Sequence, residues 1–246
     1  MGSISRYIRR AVVYKRKDII EYTIFTLGYR DETLFPFLVG NDLKDLALKI
    51  YIPGKTVIYE TSYPIIDLYR DNKLEIIDWY LTLDDSASKF KHNDAILSLI
   101  ELSCYDGKLD LVKYYYDVNV NVNVNDPRLE NAFGSLIKYN NVGIVDFLLS
   151  KGFSKPKNFW INLLCKLLHD NIFNKTDYVI NLGKINIKED MDSIIMNSFS
   201  FHNSYNLIKN ILEKFNVDVR FDNDKYFKKA CNEKYFDVGQ LLAKYV

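Results

Sequence analysis

One phrase recurs along this sequence and constrains the fold more than any other feature. A small or polar residue and an acidic or polar one are followed by two aliphatics, one polar residue and further apolar residues. It reads RKDIIEYTIF at Arg16, LKDLALKIYI at Leu43, KLEIIDWYL at Lys73, KLDLVKYYY at Lys108, VGIVDFLL at Val142, TDYVINL at Thr176, YNLIKNIL at Tyr205 and FDVGQLL at Phe236. The residue before the aliphatic pair is Asp18, Asp45, Glu75, Asp110, Gly143, Asp177, Asn206 or Asp237, and these markers follow one another at 27 to 35 residues. The period is about thirty-three, with drift. Within each copy the apolar residues fall at helical spacing, as at Leu109, Leu111, Val112, Tyr115 and Tyr116, so each copy is a helix that must bury one face.

Upstream of the copies lie second, short helical patterns: Tyr7 to Tyr14, Thr33 to Gly40, Ile65 to Arg70, Ala95 to Tyr105, Leu129 to Tyr139, Trp160 to His169, Ser193 to Phe201 and Lys225 to Asn232. Two short antiparallel helices cannot enclose a core alone, but neighbours stacked side by side can. The expectation is an all-α solenoid of about eight repeats, a single array over 1–246 with its least regular spacing at 51–63 and 171–186. Composition agrees. Tyr 19 and Phe 15 against Gly 10 and Pro 5 describe much bulky apolar surface and few residues for sharp β-turns.

A net charge of +1 gives no whole-chain field toward nucleic acid or an anionic membrane, and neither partner is expected. No run reaches eighteen apolar residues and no apolar stretch follows the first basic residues, so the reading is a cytoplasmic protein. MGSISR starts like a myristoylation signal but has Arg6 where Ser or Thr is required. Cys104, Cys165 and Cys231 sit in apolar, helix-like contexts without metal-ligand or redox spacing, and read as buried thiols in a reducing compartment.

The stretch SLIELSCYDGKLDLVKYYYDV from Ser98 resembles the ankyrin repeat, whose consensus runs T-P-L-H-L-A-A-x-x-G-H-L-E-I-V-K-L-L-L. Ser98 stands for the Thr, Ile100 and Leu102 for the leucines, Ser103 and Cys104 for the two small residues; Gly107, Leu109, Leu111 and Val112 match the second half. NNVGIVDFLLSKGFS from Asn140 matches again and keeps Gly152, suited to a left-handed helix C-cap. The likeness is strongest over 71–153, and no copy keeps T-P-L-H. The resemblance implies a concave face of first-helix side chains and loop tips that binds other proteins without catalysis. With Asn, Lys, Tyr and Ile replacing the consensus, the copies are similar to ankyrin proteins of giant DNA viruses. That likeness implies an adaptor engaging host proteins in the host cytoplasm.

The family's inter-repeat loop also accounts for DVNVNVNVND, Asp117 to Asp126, which aligns with it one for one. Asn119 takes the place of a left-handed glycine, Asp126 is the expected N-cap of the next helix and Pro127 its first residue. The alternation suits an extended arm with valines inward and Asn121, Asn123 and Asn125 outward, a structural loop first and a partner-binding edge second. Arg6, Arg9 and Arg10 fall along one helical face, followed by Lys15, Arg16 and Lys17. They read as the polar face of a terminal repeat, partly neutralised by Asp18 and Glu21, or as a grip on phosphate or an acidic partner.

No constellation points to catalysis, a metal or a cofactor. Gly54-Lys55-Thr56 has Lys49 where a phosphate-binding loop needs its first glycine. His92, His169 and His202 are scattered, and a Cys165–His169 dyad one helical turn apart lacks a third orienting group. Asp84-Asp85 and Glu189-Asp190 sit in predicted loops, while Trp79, Tyr80 and Tyr114 to Tyr116 lie on apolar stripes and read as core. The expected function is a protein–protein interaction module; a self-associating scaffold is the alternative and an enzyme on a helical solenoid the remote one.

Overall fold

The computed structural model describes residues 2–29, 31, 33–53, 55–56, 63–83, 92–118, 122–216 and 224–245. Those residues pack as two compact units, Met1–Ala132 and Phe133–Val246. They are all-helical, with no strand among them. The first unit holds α1 (Gly2–Val13), α2 (Lys17–Glu21) continued by a π-helical turn Tyr22–Thr26, α3 (Leu34–Gly40), α4 (Lys44–Ile50), α5 (Tyr63–Arg70), α6 (Leu74–Leu81), α7 (His92–Tyr105) and α8 (Leu109–Val118). The division falls within α9 (Pro127–Lys138). The second unit continues with α10 (Val142–Ser150), α11 (Lys157–His169), a 3-10 turn Phe173–Lys175, α12 (Thr176–Gly183), α13 (Ile187–Ser198), α14 (Ser204–Phe215), α15 (Lys225–Asn232) and α16 (Phe236–Ala243).

All eight recurring phrases are helices, α2, α4, α6, α8, α10, α12, α14 and α16, each with its marker residue in the first turn. In the first unit α1 packs on α2, α3 on α4, α5 on α6 and α7 on α8, and the first helices stack as α3, α5 and α7. In the second, α11 packs on α12, α13 on α14 and α15 on α16, with α11 also against α13 and α14, and α14 against α16.

Among the described residues, pairing follows from one turn that ends seven of the first helices. Lys15, Asp42, Asn72, Gly107, Asn140, Asn171 and Lys234 each have positive φ, between 52° and 68°. Each donates its N–H to the carbonyl three residues back, as Asn72 to Tyr69 at 3.0 Å and Gly107 to Cys104 at 3.1 Å. The next residue donates five residues back, as Lys73 to Leu68 at 2.9 Å, Lys108 to Ser103 at 2.9 Å and Tyr235 to Ala230 at 2.8 Å. This double closure satisfies the orphan carbonyls of the first helix and reverses the chain within three residues. The second helix must then lie back along the first. Gly152, with φ 92°, closes the end of α10 in the same way, as its sequence context implies.

In seven of the eight copies the aliphatic two residues past the marker is the anchor of the second helix; the last copy has Gly239 there. Ile20, Ala47, Ile77, Val112, Val145, Val179 and Ile208 are all fully buried. Sealing each larger aliphatic from water contributes about 1.5–3 kcal/mol. The second unit adds an aromatic cluster: Phe133 stacks on Phe153 at 4.2 Å, with Trp160 edge-on at 5.6 Å. Gly183 lies against Trp160, where a Cβ would come within 2.4 Å, so only glycine fits.

Several expectations need correction. Helix α13 begins six residues before Ser193, because Asn186 caps it by accepting the Lys188 N–H at 3.2 Å. Glu189 and Asp190 therefore lie in its first turn, not in a loop, where carboxylates oppose the positive end of the helix. Helix α1 starts at Gly2, ahead of Tyr7. Cys231 is exposed, since the buried stripe of α15 runs through Tyr226 and Ala230 and the next position turns away from it. Tyr80 and Tyr115 are core as expected, but Tyr114, one position away from Tyr115, is exposed.

On α8, Leu111 and Val112 both belong to the apolar pattern, yet Leu111 is half-buried and Val112 wholly buried. Val112→Asp should therefore cost about 3–5 kcal/mol as an unpaired buried charge, and Leu111→Asp clearly less, read as midpoints of urea unfolding. The turns give a second expectation. Gly107→Ala should destabilise and Lys234→Gly stabilise by about 1 kcal/mol each, because a side chain is strained in the left-handed region; paired thermal melts measure both.

Candidate functional site

The arginine cluster lies on α1, which carries no acidic residue. The inner face of this helix is spent on packing, with Ile8, Ala11 and Val12 buried. Arg6, Arg9 and Arg10 are exposed, but they do not act as a set. Arg9 is turned toward the start of α3: its Nη2 donates to Thr33 Oγ1 at 2.5 Å, and the guanidinium stands 5.0 Å over the Phe37 ring. Thr33 is in turn held by Asp31, which accepts from its backbone N–H at 2.8 Å and its hydroxyl at 2.7 Å. Arg9 is thus a brace between the first two repeats.

The basic residues that follow are neutralised. Lys15 pairs with Asp42 at 3.5 Å, Arg16 with Asp18 at 2.8 Å and Lys17 with Asp45 at 3.9 Å, while Glu21 pairs with Lys49. Asp18 neutralises its neighbour as expected, whereas Glu21 serves another repeat. Arg6 and Arg10 have no carboxylate within ion-pair distance among the described residues. They flank an open groove of about 460 Å³ lined by Ser5, Arg6, Arg9, Arg10, Val13 and Tyr14. Tyr14, in that lining, is 75% exposed, and Tyr7, next to Arg6 in sequence, is 69% exposed. The sequence reading passed over these tyrosines; their spacing with Arg10, three and four residues on either side, is the signal that finds them.

Of the Val-Asn stretch, Asn119 and Asn121 lie outside the described residues, as do Gly54 and Asp84-Asp85. Over residues 122–125 Val124 is buried and Asn123 exposed as expected, whereas Val122 and Asn125 are both half-buried, so Asn125 does not point fully outward. The backbone closes on itself, since Asn123 Oδ1 accepts the Asn125 N–H at 3.0 Å. Asn123 is thus a turn former as well as an outward residue. Asp126 caps α9 as anticipated, accepting the Arg128 N–H at 2.9 Å, with Pro127 as the first helical residue. Arg128 then joins Asp126 to Asp94 of α7 at 3.0 and 3.2 Å, a bond between successive repeats.

Cys165 and His169 do not form a dyad. Cys165 is buried against the Ile194 carbonyl and Ser198, and burial pushes its thiol up to about 11. Cys104 is pushed up to about 12, also chiefly by burial. Both thiols stay protonated and unreactive at neutral pH. His169 spends its two ring nitrogens elsewhere, Nε2 on the His202 carbonyl at 2.9 Å and Nδ1 on Asp170 at 3.1 Å. No group of three or more His, Cys, Asp or Glu side chains among the described residues is placed to hold a metal ion. Among the same residues no helix is long and apolar enough to cross a membrane. Comparison with family profiles, curated proteins and solved structures finds no match.

Asp170 carries a pH expectation. Hydrogen bonds from His169 and Lys138 hold its carboxyl below the ordinary range. A depressed carboxylate contributes stability that is full above its unfolded pKa, about 3.9, and is lost as pH falls through the lower folded value. Asp170→Asn should therefore lower the melting temperature at neutral pH, and the gap to the parent should close on acidification toward about pH 3.

Proposed function

We propose that the chain is a non-enzymatic protein–protein interaction module, built as a degenerate ankyrin-like array. The observation that carries this reading is the turn repeated after seven of the first helices, which folds the chain back at nearly the same interval each time. An array of this kind has no single cleft. Its working surface is a row of outward residues held at fixed spacing, which suits recognition of another protein. The ankyrin reading gains support from Gly107, left-handed where the family has its turn glycine, and from Ser103 and Cys104, buried where the family has two small residues.

Exposed aromatics such as Tyr7, Tyr14, Tyr139 and Phe236 are the residue type that anchors protein interfaces, and they also favour the second reading, self-association as a scaffold. The two separate experimentally. Tagged protein would be used for affinity capture from a eukaryotic cell extract, the captured protein identified by mass spectrometry, made pure and titrated back. The expected result is saturable one-to-one binding with the partner chemically unchanged. Substituting Asn121, Asn123 and Asn125 by Ser keeps the capacity for a local turn, so a loss of binding in that variant would place the loop in the interface. Recovery of the chain alone, with mass rising with concentration in sedimentation, would replace the module by the scaffold. Covalent alteration of the partner would replace it by an enzyme.

A further inference from the structure

We propose that the outer groove of α1 docks an acidic amphipathic helix of a partner protein. This rests on the interaction-module reading and assigns it a surface and a chemistry. The first argument is shape. The groove runs between two rows on one helix, Ser5–Arg9–Val13 and Arg6–Arg10–Tyr14, each stepping by four residues. Rows at that spacing form the ridges between which a ridge of another helix seats.

The second argument is charge. Around this helix the structure neutralises Lys15, Arg16, Lys17 and Lys49 with carboxylates, and three of the four pairs join the first two repeats. Arg6 and Arg10 are left exposed without a carboxylate among the described residues, on a helix with no acid of its own. Guanidinium groups so placed select carboxylates, which they bind in bidentate geometry.

The third argument is the mixture of side chains. Val13, Tyr7 and Tyr14 are all more than half exposed next to those arginines. An occupant must therefore bring apolar side chains together with its carboxylates, as one face of an amphipathic helix does. A nucleic acid is disfavoured, because two free arginines supply little of the roughly 6–10 phosphate contacts of a typical footprint. A membrane surface is disfavoured because the apolar stripe that would enter it, Ile8, Ala11 and Val12, is buried in the repeat.

The test uses a fluorescein-labelled synthetic peptide of about 18 residues, long enough to form a helix on binding, with leucine at helical spacing and glutamate elsewhere. A scrambled peptide of the same composition, heparin, and vesicles of equal parts phosphatidylserine and phosphatidylcholine are run beside it. The patterned peptide should bind the parent in fluorescence anisotropy and weaken with added salt. Combining Arg6→Glu with Arg10→Glu should weaken it about tenfold or more, and Val13→Ser with Tyr14→Ser should also weaken it, with melting temperatures unchanged. Equal binding of the scrambled peptide, or equal binding by the arginine variant, overturns the proposal. So does arginine-dependent binding of vesicles or heparin without the peptide, or a parent dimer that the arginine variant dissolves, since each names another occupant. If the arginine variant still captures the cellular partner at parental affinity, the α1 groove is ruled out as the docking surface while the interaction module stands.

Discussion

The rest of this structure depends on a left-handed residue placed two residues past the end of seven of the eight first helices. Placing a side chain there costs about 1–2 kcal/mol relative to the right-handed region. Only one of the seven positions is glycine; three are asparagine, one is aspartate and two are lysine. Asparagine and aspartate tolerate this conformation because their short polar side chains bond locally. Lysine has no such relief, so at Lys15 and Lys234 the strain is offset by the two backbone bonds of the turn and by the packing that follows. A chain with so little glycine reverses direction this often because burial of the paired helices outweighs the strain of each turn.

The pair α13–α14 shows what happens without that turn. Its connection is longer, and the left-handed residue, Asn203, comes only at the start of α14. Bracing comes from the neighbouring repeat instead. His169 at the end of α11 holds the His202 carbonyl, with its ring 5.8 Å from that of Phe201. Asn210 of α14 reaches back to the Leu168 carbonyl at 2.8 Å and to Asn171 Oδ1 at 3.0 Å. These bonds satisfy the end of α11 from outside and bring α14 against it. His169 is thus a brace across this defect in the repeat.

The period and the eight second helices were legible because burial of an aliphatic pair leaves a pattern in the residues themselves. What was not legible depended on geometry between residues far apart in sequence. Leu111 and Val112 share one helical stripe, and only the packing of the neighbouring helices decides that Val112 is sealed and Leu111 is not. Asn186 looked like loop because its capping role is visible only once α13 is seen to follow it. Arg9 looked equivalent to Arg6 and Arg10 until Thr33 and Phe37 were found beneath it. Of the turn residues, the sequence singled out Gly107 and left Asn72, Asn140 and both lysines unnoticed, since a lysine carries no mark of a left-handed backbone.

Charge obeys the same period, and this gives the candidate surface its meaning. Arg128 reaches Asp94 across 34 residues, Lys138 reaches Asp170 across 32, and Lys157 and Lys225 reach Asp190 and Asp192 across 33. Each links one repeat to the next within its own unit. Exposed pairs of this kind contribute about 0–1 kcal/mol each, so their sum stabilises less than the aliphatic anchors do. Their larger effect is on what remains. They decide which cations are spent on bracing one repeat to the next and which stay outside the ladder. Arg6 and Arg10 lie outside the ladder, and apolar side chains flank them. The same sorting separates the bracing cations of the first repeat, Arg9, Lys15 and Lys17, from Arg6 and Arg10 on the exposed face of α1.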